Sequence, residues 1–139
     1  MERSPELEAL VRRLAEAQAA GDVDGLLATL SGDQETIVIG TDPDEWWTGS
    51  KITEMVRAQL AEMKQVGIKL AATDAHGFQL GDVGWVSDQS RFVLADGSEV
   101  NLRVTGVAVR EDGDWKFVQL HSSVGARNED VVGVPLTTR

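Results

Sequence analysis

The chain has no cysteine, no tyrosine and only three prolines. Without cysteine, neither a disulfide framework nor a thiolate metal site can form. Positive charge is scarce: 13 lysines and arginines stand against 23 aspartates and glutamates, a net charge of −10. No basic patch is visible, which argues against nucleic acid or an anionic membrane as partner. No apolar run approaches the ~20 residues a membrane span needs. The opening Met1 to Glu6 leads into no apolar stretch of the secretory type, so a cytoplasmic location is the expectation. The two histidines, His76 and His121, lack ligand spacing, and no nucleophile elbow, phosphate loop or dinucleotide fingerprint occurs. Neither a metal nor a cofactor is therefore expected.

What is present reads as a folded protein. Hydrophobic residues make up 42% and charged residues 26% of 139 positions, the balance of a globular chain. The length suits one domain, residues 1–139, with 127–139 as a C-terminal arm. Ser4-Pro5-Glu6 is a helix start, the stripe Leu7, Leu10, Val11, Leu14 follows at helical spacing, and Gly21 ends the helix. Asp22 caps a short second helix through Leu26, Leu27 and Leu30. Glu35 to Gly40 reads as a short buried strand, and TDPDEWWTG as a loop with adjacent Trp46 and Trp47. Ser50 is expected to cap a third helix with the stripe Ile52, Met55, Val56, Leu60, Met63, ended by Gly67. Gln59 sits on that stripe where an apolar residue is expected.

The remainder reads as a four-strand antiparallel meander. Ile68 to Leu80 and Val83 to Leu94 flank a Gly81-Asp82 turn, and Asp96-Gly97 and Asp112-Gly113 supply two more turns. Segregated helices and an antiparallel sheet mean α+β, with the sheet curved over the helices and a cavity at its open end. If Asp112-Gly113 is a two-residue loop, Trp115, Phe117, Gln119, His121 and Ser123 share one face with Arg110, Ala108, Gly106 and Val104. That face runs from aromatic to polar, as a deep cavity with polar groups near one end would. With Asp96-Gly97 as the other loop, Trp85, Ser87 and Gln89 join it. The opposite face carries Val107, Val109, Val118 and Leu120, also apolar enough to meet a partner sheet or subunit.

RVTGVAVREDGDWKFVQLHSS, Arg103 to Ser123, resembles the R-x-T, D-G-x-W, H-x-S ending of the nuclear transport factor 2-like superfamily, including the association domain of calcium/calmodulin-dependent kinase II. GTDPDEWWTG, Gly40 to Gly49, resembles a stretch in bacterial SnoaL-like proteins. The resemblance implies a cone-shaped α+β fold, with N-terminal helices packed in a strongly curved, mostly antiparallel sheet. It also implies a homodimer through the sheet's outer face and a pocket inside. Two departures limit the carry-over. Ketosteroid isomerase pairs an aspartate base with a tyrosine, which this chain lacks, and Gly106 stands where the kinase association domain has a pocket arginine.

The ligand-binding expectation is Trp47, Gln59, Trp85, Ser87, Gln89, Gln119, His121 and Ser123, with His121 as candidate base because histidine titrates near neutral pH. The competing structural reading has His121 tied to a carboxylate or carbonyl, holding the last strand. Gly106 either leaves room for a ligand or marks a bend, the reading preferred here. Asp88 falls on the outer face diagonal to Arg103, unless a one-residue bulge turns it inward. Asp42, Asp44 and Glu45 on the tryptophan loop either approach the pocket or stay solvated. Trp46 and Trp47, being consecutive, cannot both point inward. Three functions remain open. They are a homodimeric binder of a small apolar or amphipathic molecule, a proton-transfer enzyme (isomerase, cyclase or dehydratase) with His121 as base, and an association module whose cavity is filled by Trp47, Trp85 and Phe117.

Overall fold

A computed structural model describes residues 1–137; the last two residues of the expected arm lie outside the described residues. The elements are β1 (Glu2–Arg3), α1 (Pro5–Ala20), α2 (Val23–Leu27), β2 (Ile37–Ile39), β3 (Trp46–Thr48) and α3 (Ser50–Val66). They continue as β4 (Lys69–Ala71), β5 (His76–Leu80), β6 (Val83–Asp88), β7 (Arg91–Val93), β8 (Glu99–Asn101), β9 (Arg103–Glu111), β10 (Asp114–Ser123) and α4 (Asn128–Val132).

The helix ends follow local chemistry. The Ser4 hydroxyl accepts from the Leu7 amide at 3.3 Å, Pro5 takes the first helical position, and Gly21 closes α1 in the left-handed conformation. Asp22 caps α2 by accepting from the Gly25 amide at 2.9 Å. At α3 the expectation is corrected: Ser50 is the first helical residue, and Gly49 stands at the cap with no side-chain bond.

The first three long strands of the meander are each broken in two, and the last, β10, is continuous. One sheet of seven strands runs β1-β5-β6-β9-β10-β2-β3 and a smaller one runs β4-β7-β8. All pairings are antiparallel except β10 with β2. Splitting the strands turns the β7–β8 hairpin away from the main sheet, and helices fill the concave side. There Leu7, Leu10, Val11, Val56, Val86, Val104, Ala108 and Phe117 are at most 2% exposed. Burying each large aliphatic or aromatic side chain contributes roughly 1.5–3 kcal/mol relative to exposure. Gly77 and Gly84 let α1 lie close on the sheet, since an added Cβ would come within 2.8 Å of the Ser4 carbonyl and 2.3 Å of Leu7 respectively.

Two local irregularities decide which side chains face inward. Asp112 and Gly113, both at positive φ, close the β9–β10 hairpin as a two-residue loop, and Arg110 pairs Trp115 and Ala108 pairs Phe117 as the sequence implies. Past Phe117 a bulge intervenes and Gln119 pairs Val107 rather than Gly106. The extra residue at Val118 reverses every side chain beyond it. In the preceding hairpin the loop has three residues, Ala95-Asp96-Gly97: the Leu94 amide donates to the Ser98 carbonyl, and Gly97 takes a φ of +84°. A three-residue loop with a left-handed glycine is the next common hairpin form after the two-residue turn. It moves the register by one, so Val86 pairs Gly106 and Asp88 pairs Val104.

Candidate functional site

The concave side holds a cavity of about 490 Å³, bounded by α1, α2, α3, β2, the β2–β3 loop, the β4–β7 side of the small sheet and the end of β10. Helix α3 shows how its wall arises. Ile52, Val56 and Leu60 form one ridge at four-residue spacing and are buried in the core, whereas Met55, Gln59 and Met63 form the adjacent ridge and line the cavity half-buried. Gln59, out of place on an apolar stripe, is thus the middle residue of the cavity ridge.

Four polar residues of the wall matter. Gln59 Nε2 donates to Glu45 Oε2 at 2.5 Å, and Glu45 Oε1 accepts from the Asp42 amide at 2.7 Å. Gly40 makes room for that carboxylate, because an added Cβ would lie 2.7 Å from Glu45 Oε1. Gln18, buried on α1, donates to the Ile68 carbonyl at 3.1 Å and accepts from the Leu70 amide, stitching α1 to the start of β4. Ser122 adds a hydroxyl beside Leu120 at the end of β10, and Thr41 and Glu62 also reach the lining. The rest of the wall is mainly Leu14, Leu26, Leu30, Val38, Trp47, Met55, Leu60, Met63, Ile68, Leu70 and Phe92.

Of the eight residues expected to bind, Trp47 and Gln59 line this cavity. The other six do not. His121, Gln119 and Ser123 lie past the bulge and pair with Thr105, Val107 and Arg103 on the outer face, where His121 and Gln119 are exposed. Trp85 and Ser87 are outward because the three-residue loop shifts β6 by one, and Trp85 stacks on Phe78 with ring centroids 6.3 Å apart. Gln89 is exposed in the bend between β6 and β7, its carbonyl accepting from the Thr73 hydroxyl. The candidate base His121 is therefore separated from the cavity by the thickness of the sheet.

The same shift brings Asp88 inward at 4% exposure, correcting its outer-face placement. Its carboxylate accepts from the Thr73 amide, the Asp74 amide at 2.8 Å and the Ser90 hydroxyl, which pins the segment joining β4 to β5. Gly106 also faces inward, but Phe117 occupies its space, an added Cβ being 2.6 Å from the ring. Trp46 is 63% exposed while Trp47 turns to the cavity.

Gln18 and Ser122 were not raised as binding residues by sequence reasoning, whereas Glu45 was one of three loop carboxylates left either to approach the pocket or to stay solvated, and it is the one that lines the cavity. For Gln18 a signal exists: it is the next position of the stripe Leu7, Val11, Leu14 on α1. For Ser122 the signal is adjacent apolar residues, Phe117 and Val118, followed by Leu120, which breaks strict alternation and betrays the bulge.

The model of the SnoaL-like domain matches residues 7–127. Among solved structures, a nuclear transport factor 2-like protein of unknown function from Pseudomonas putida is 17% identical, with a TM-score of 0.78 over 96% of this chain and 94% of that one. A provisional dehydratase of the nuclear transport factor 2-like family from Streptomyces avermitilis is 18% identical, with a TM-score of 0.72 over 87% and 94%. A provisional calcium/calmodulin-dependent kinase II association domain from Xanthomonas campestris is 20% identical, with a TM-score of 0.70 over 90% and 95%. At these identities the likeness establishes the cone-shaped α+β fold. Among curated proteins, none matches the chain significantly.

Proposed function

The chain belongs to the SnoaL-like domain family, and from that premise we propose that it binds a small apolar or amphipathic molecule inside the cone and acts as a homodimer. The observation that carries the binding reading is the cavity: about 490 Å³, walled by aliphatic and aromatic side chains, with Glu45, Gln59 and Ser122 as polar points of contact. That size and lining fall within the roughly 300–1,000 Å³ typical of small-molecule sites. The unfilled volume speaks against an association module with a plugged cone, since Phe117 fills core, Trp47 only lines the cavity and Trp85 lies outside.

The dimer reading rests on the outer face of the large sheet. Phe78, Val83, Trp85, Val107 and Val109 stand there side by side on β5, β6 and β9, with Val83 47% exposed. An apolar surface of this extent marks an association site more often than a free one. Among the described residues no helix is long and apolar enough to cross a membrane, and a cytoplasmic location remains part of the proposal.

A proton-transfer enzyme is the second reading, supported by the fold shared with the provisional dehydratase. Its base is then Glu45, which meets the cavity, and not His121.

Native mass spectrometry of freshly purified protein tests binding and assembly together. The expected result is a two-chain mass with up to one small molecule per chain, and a monomer at micromolar concentration overturns the dimer. Met55→Trp, which fills the cavity, is expected to empty it of co-purified or added ligand. Retained ligand in that variant overturns the pocket.

A further inference from the structure

The cavity's charge is one-sided: its described lining carries carboxylates and no cationic side chain. Gln18 Nε2 is used twice, on the Ile68 carbonyl and the Met63 sulfur, whereas Gln59 Nε2 places one of its two N–H groups on Glu45. The Gln18 oxygen is also occupied, by the Leu70 amide. On the acceptor side, each Glu45 oxygen takes one hydrogen bond from the protein, and a carboxylate oxygen has room for two. Gln59 turns its nitrogen to the carboxylate, which leaves its carbonyl oxygen without a protein donor among the described residues. Among the described residues the charged members of the lining are Glu45 and Glu62, with no lysine, arginine or histidine. Glu45 has no basic partner within salt-bridge distance among the described residues.

Resting on the binding reading above, we infer that the cavity selects an apolar molecule carrying a protonated amine, which Glu45 and the Gln59 carbonyl oxygen hold together. A carboxylate ligand would bring a second negative charge beside Glu45, with no cationic side chain in the described lining to receive it. An alcohol can donate only one hydrogen bond, whereas an ammonium donates three and carries the charge that Glu45 lacks a partner for. Trp47, on the strand that follows Glu45, lines the same cavity and supplies an aromatic side chain of the kind that attracts a cationic head. Gly40 serves this arrangement by leaving the space in which the carboxylate sits.

The test is calorimetric titration of the full chain with phenylpropylamine, phenylpropanol and phenylpropanoate, a series that keeps the apolar body and changes the head. A charge-assisted hydrogen bond predicts that the amine binds at about tenfold or more higher affinity than the alcohol. One amine per chain is expected, and the carboxylate is expected to be weakest. Glu45→Gln should lower amine affinity about tenfold while leaving the alcohol within about threefold, which also reports that the variant is folded. Equal binding of all three heads, or an amine preference that survives Glu45→Gln, overturns the inference while the pocket stands; the latter would be attraction to a chain of net charge −10. Binding of none of the three, in a protein whose Met55→Trp variant behaves identically, overturns the binding reading and this inference with it.

Discussion

The two ends of the cone are built from the same strands and packed in opposite ways. At the closed end Phe117 is fully buried against Gly106, with Trp115, Ala108, Leu7 and Leu10 in the same core. The Trp115 indole N–H is buried without a partner among the described residues, which costs about 1–3 kcal/mol. The Arg110 guanidinium, 4.3 Å from the centre of that ring, offsets part of this. At the open end, β10 presents Leu120 and Ser122 instead of aromatics, and Trp47 and Phe92 remain in the walls. The chain has four tryptophans and three phenylalanines, and Trp46, Phe78 and Trp85 are turned outward or exposed. The cavity exists because few large side chains are available and the bulge at Val118 separates the strand that fills from the strand that lines.

The contrast can be broken most severely at the closed end. Phe117→Ala should lose about 3–5 kcal/mol of stability in urea or thermal denaturation, because a fully buried ring leaves a void its neighbours cannot close. Gly106→Ala places a methyl against the same ring and should cost about 1–3 kcal/mol by overpacking. A loss near zero for either would mean that this end is as loosely filled as the other. Filling the open end should have the opposite sign: Met55→Trp is expected to raise stability by about 0.5–2 kcal/mol while abolishing ligand binding, and a destabilised variant would argue that the wall cannot move to admit the ring.

A smaller effect sharpens the comparison at the closed end's rim. Glu8 is held below the usual carboxylate range, first by the hydrogen bond from Arg3 at 2.7 Å and then by the Gly77 amide. A lowered folded-state value means stability present above the ordinary glutamate value of 4.5 and lost as pH falls through the lowered one. Glu8→Gln should therefore flatten the stability profile on the acid side of that value and leave ligand binding unchanged. An unaltered acid limb would show that the tie from β1 to α1 persists in the unfolded chain. Smallest of all, His121→Ala should change neither stability beyond about 0.5 kcal/mol nor ligand affinity, because the side chain is exposed on the far face.

Much of the architecture was legible from local chemistry. Ser4-Pro5, Gly21, Asp22 and Gly67 mark helix ends, and each acts through its own backbone or a neighbour within a few residues. The apolar stripes of α1 and α3, the turn at Gly81-Asp82 and the loop at Asp112-Gly113 depend likewise on short spans. Gln59 was legible as a cavity residue because a polar side chain at the centre of an apolar stripe contradicts its pattern. The remainder of the site was misread through two single-residue shifts. Whether Asp96-Gly97 belongs to a two- or three-residue loop reverses β6, and whether Val118 is paired or bulged reverses the half of β10 beyond it. Six expected pocket residues left the cavity on that account, and Asp88 entered the core.

By itself, the order of residues determined the element types, the α+β class, the family resemblance and the absence of disulfide chemistry. These rest on periodicity, capping and composition, which act along the chain. Tertiary structure alone decided which face of β6 and of the end of β10 looks inward, that Glu45 reaches Gln59, and that the cavity's described lining carries carboxylates without a cation. Register is set by the packing of Phe117 on Gly106 and of α1 on Gly77 and Gly84, contacts between residues far apart in sequence. Because side chains alternate every residue along a strand, an error of one position there exchanges the inside of the protein for its outside.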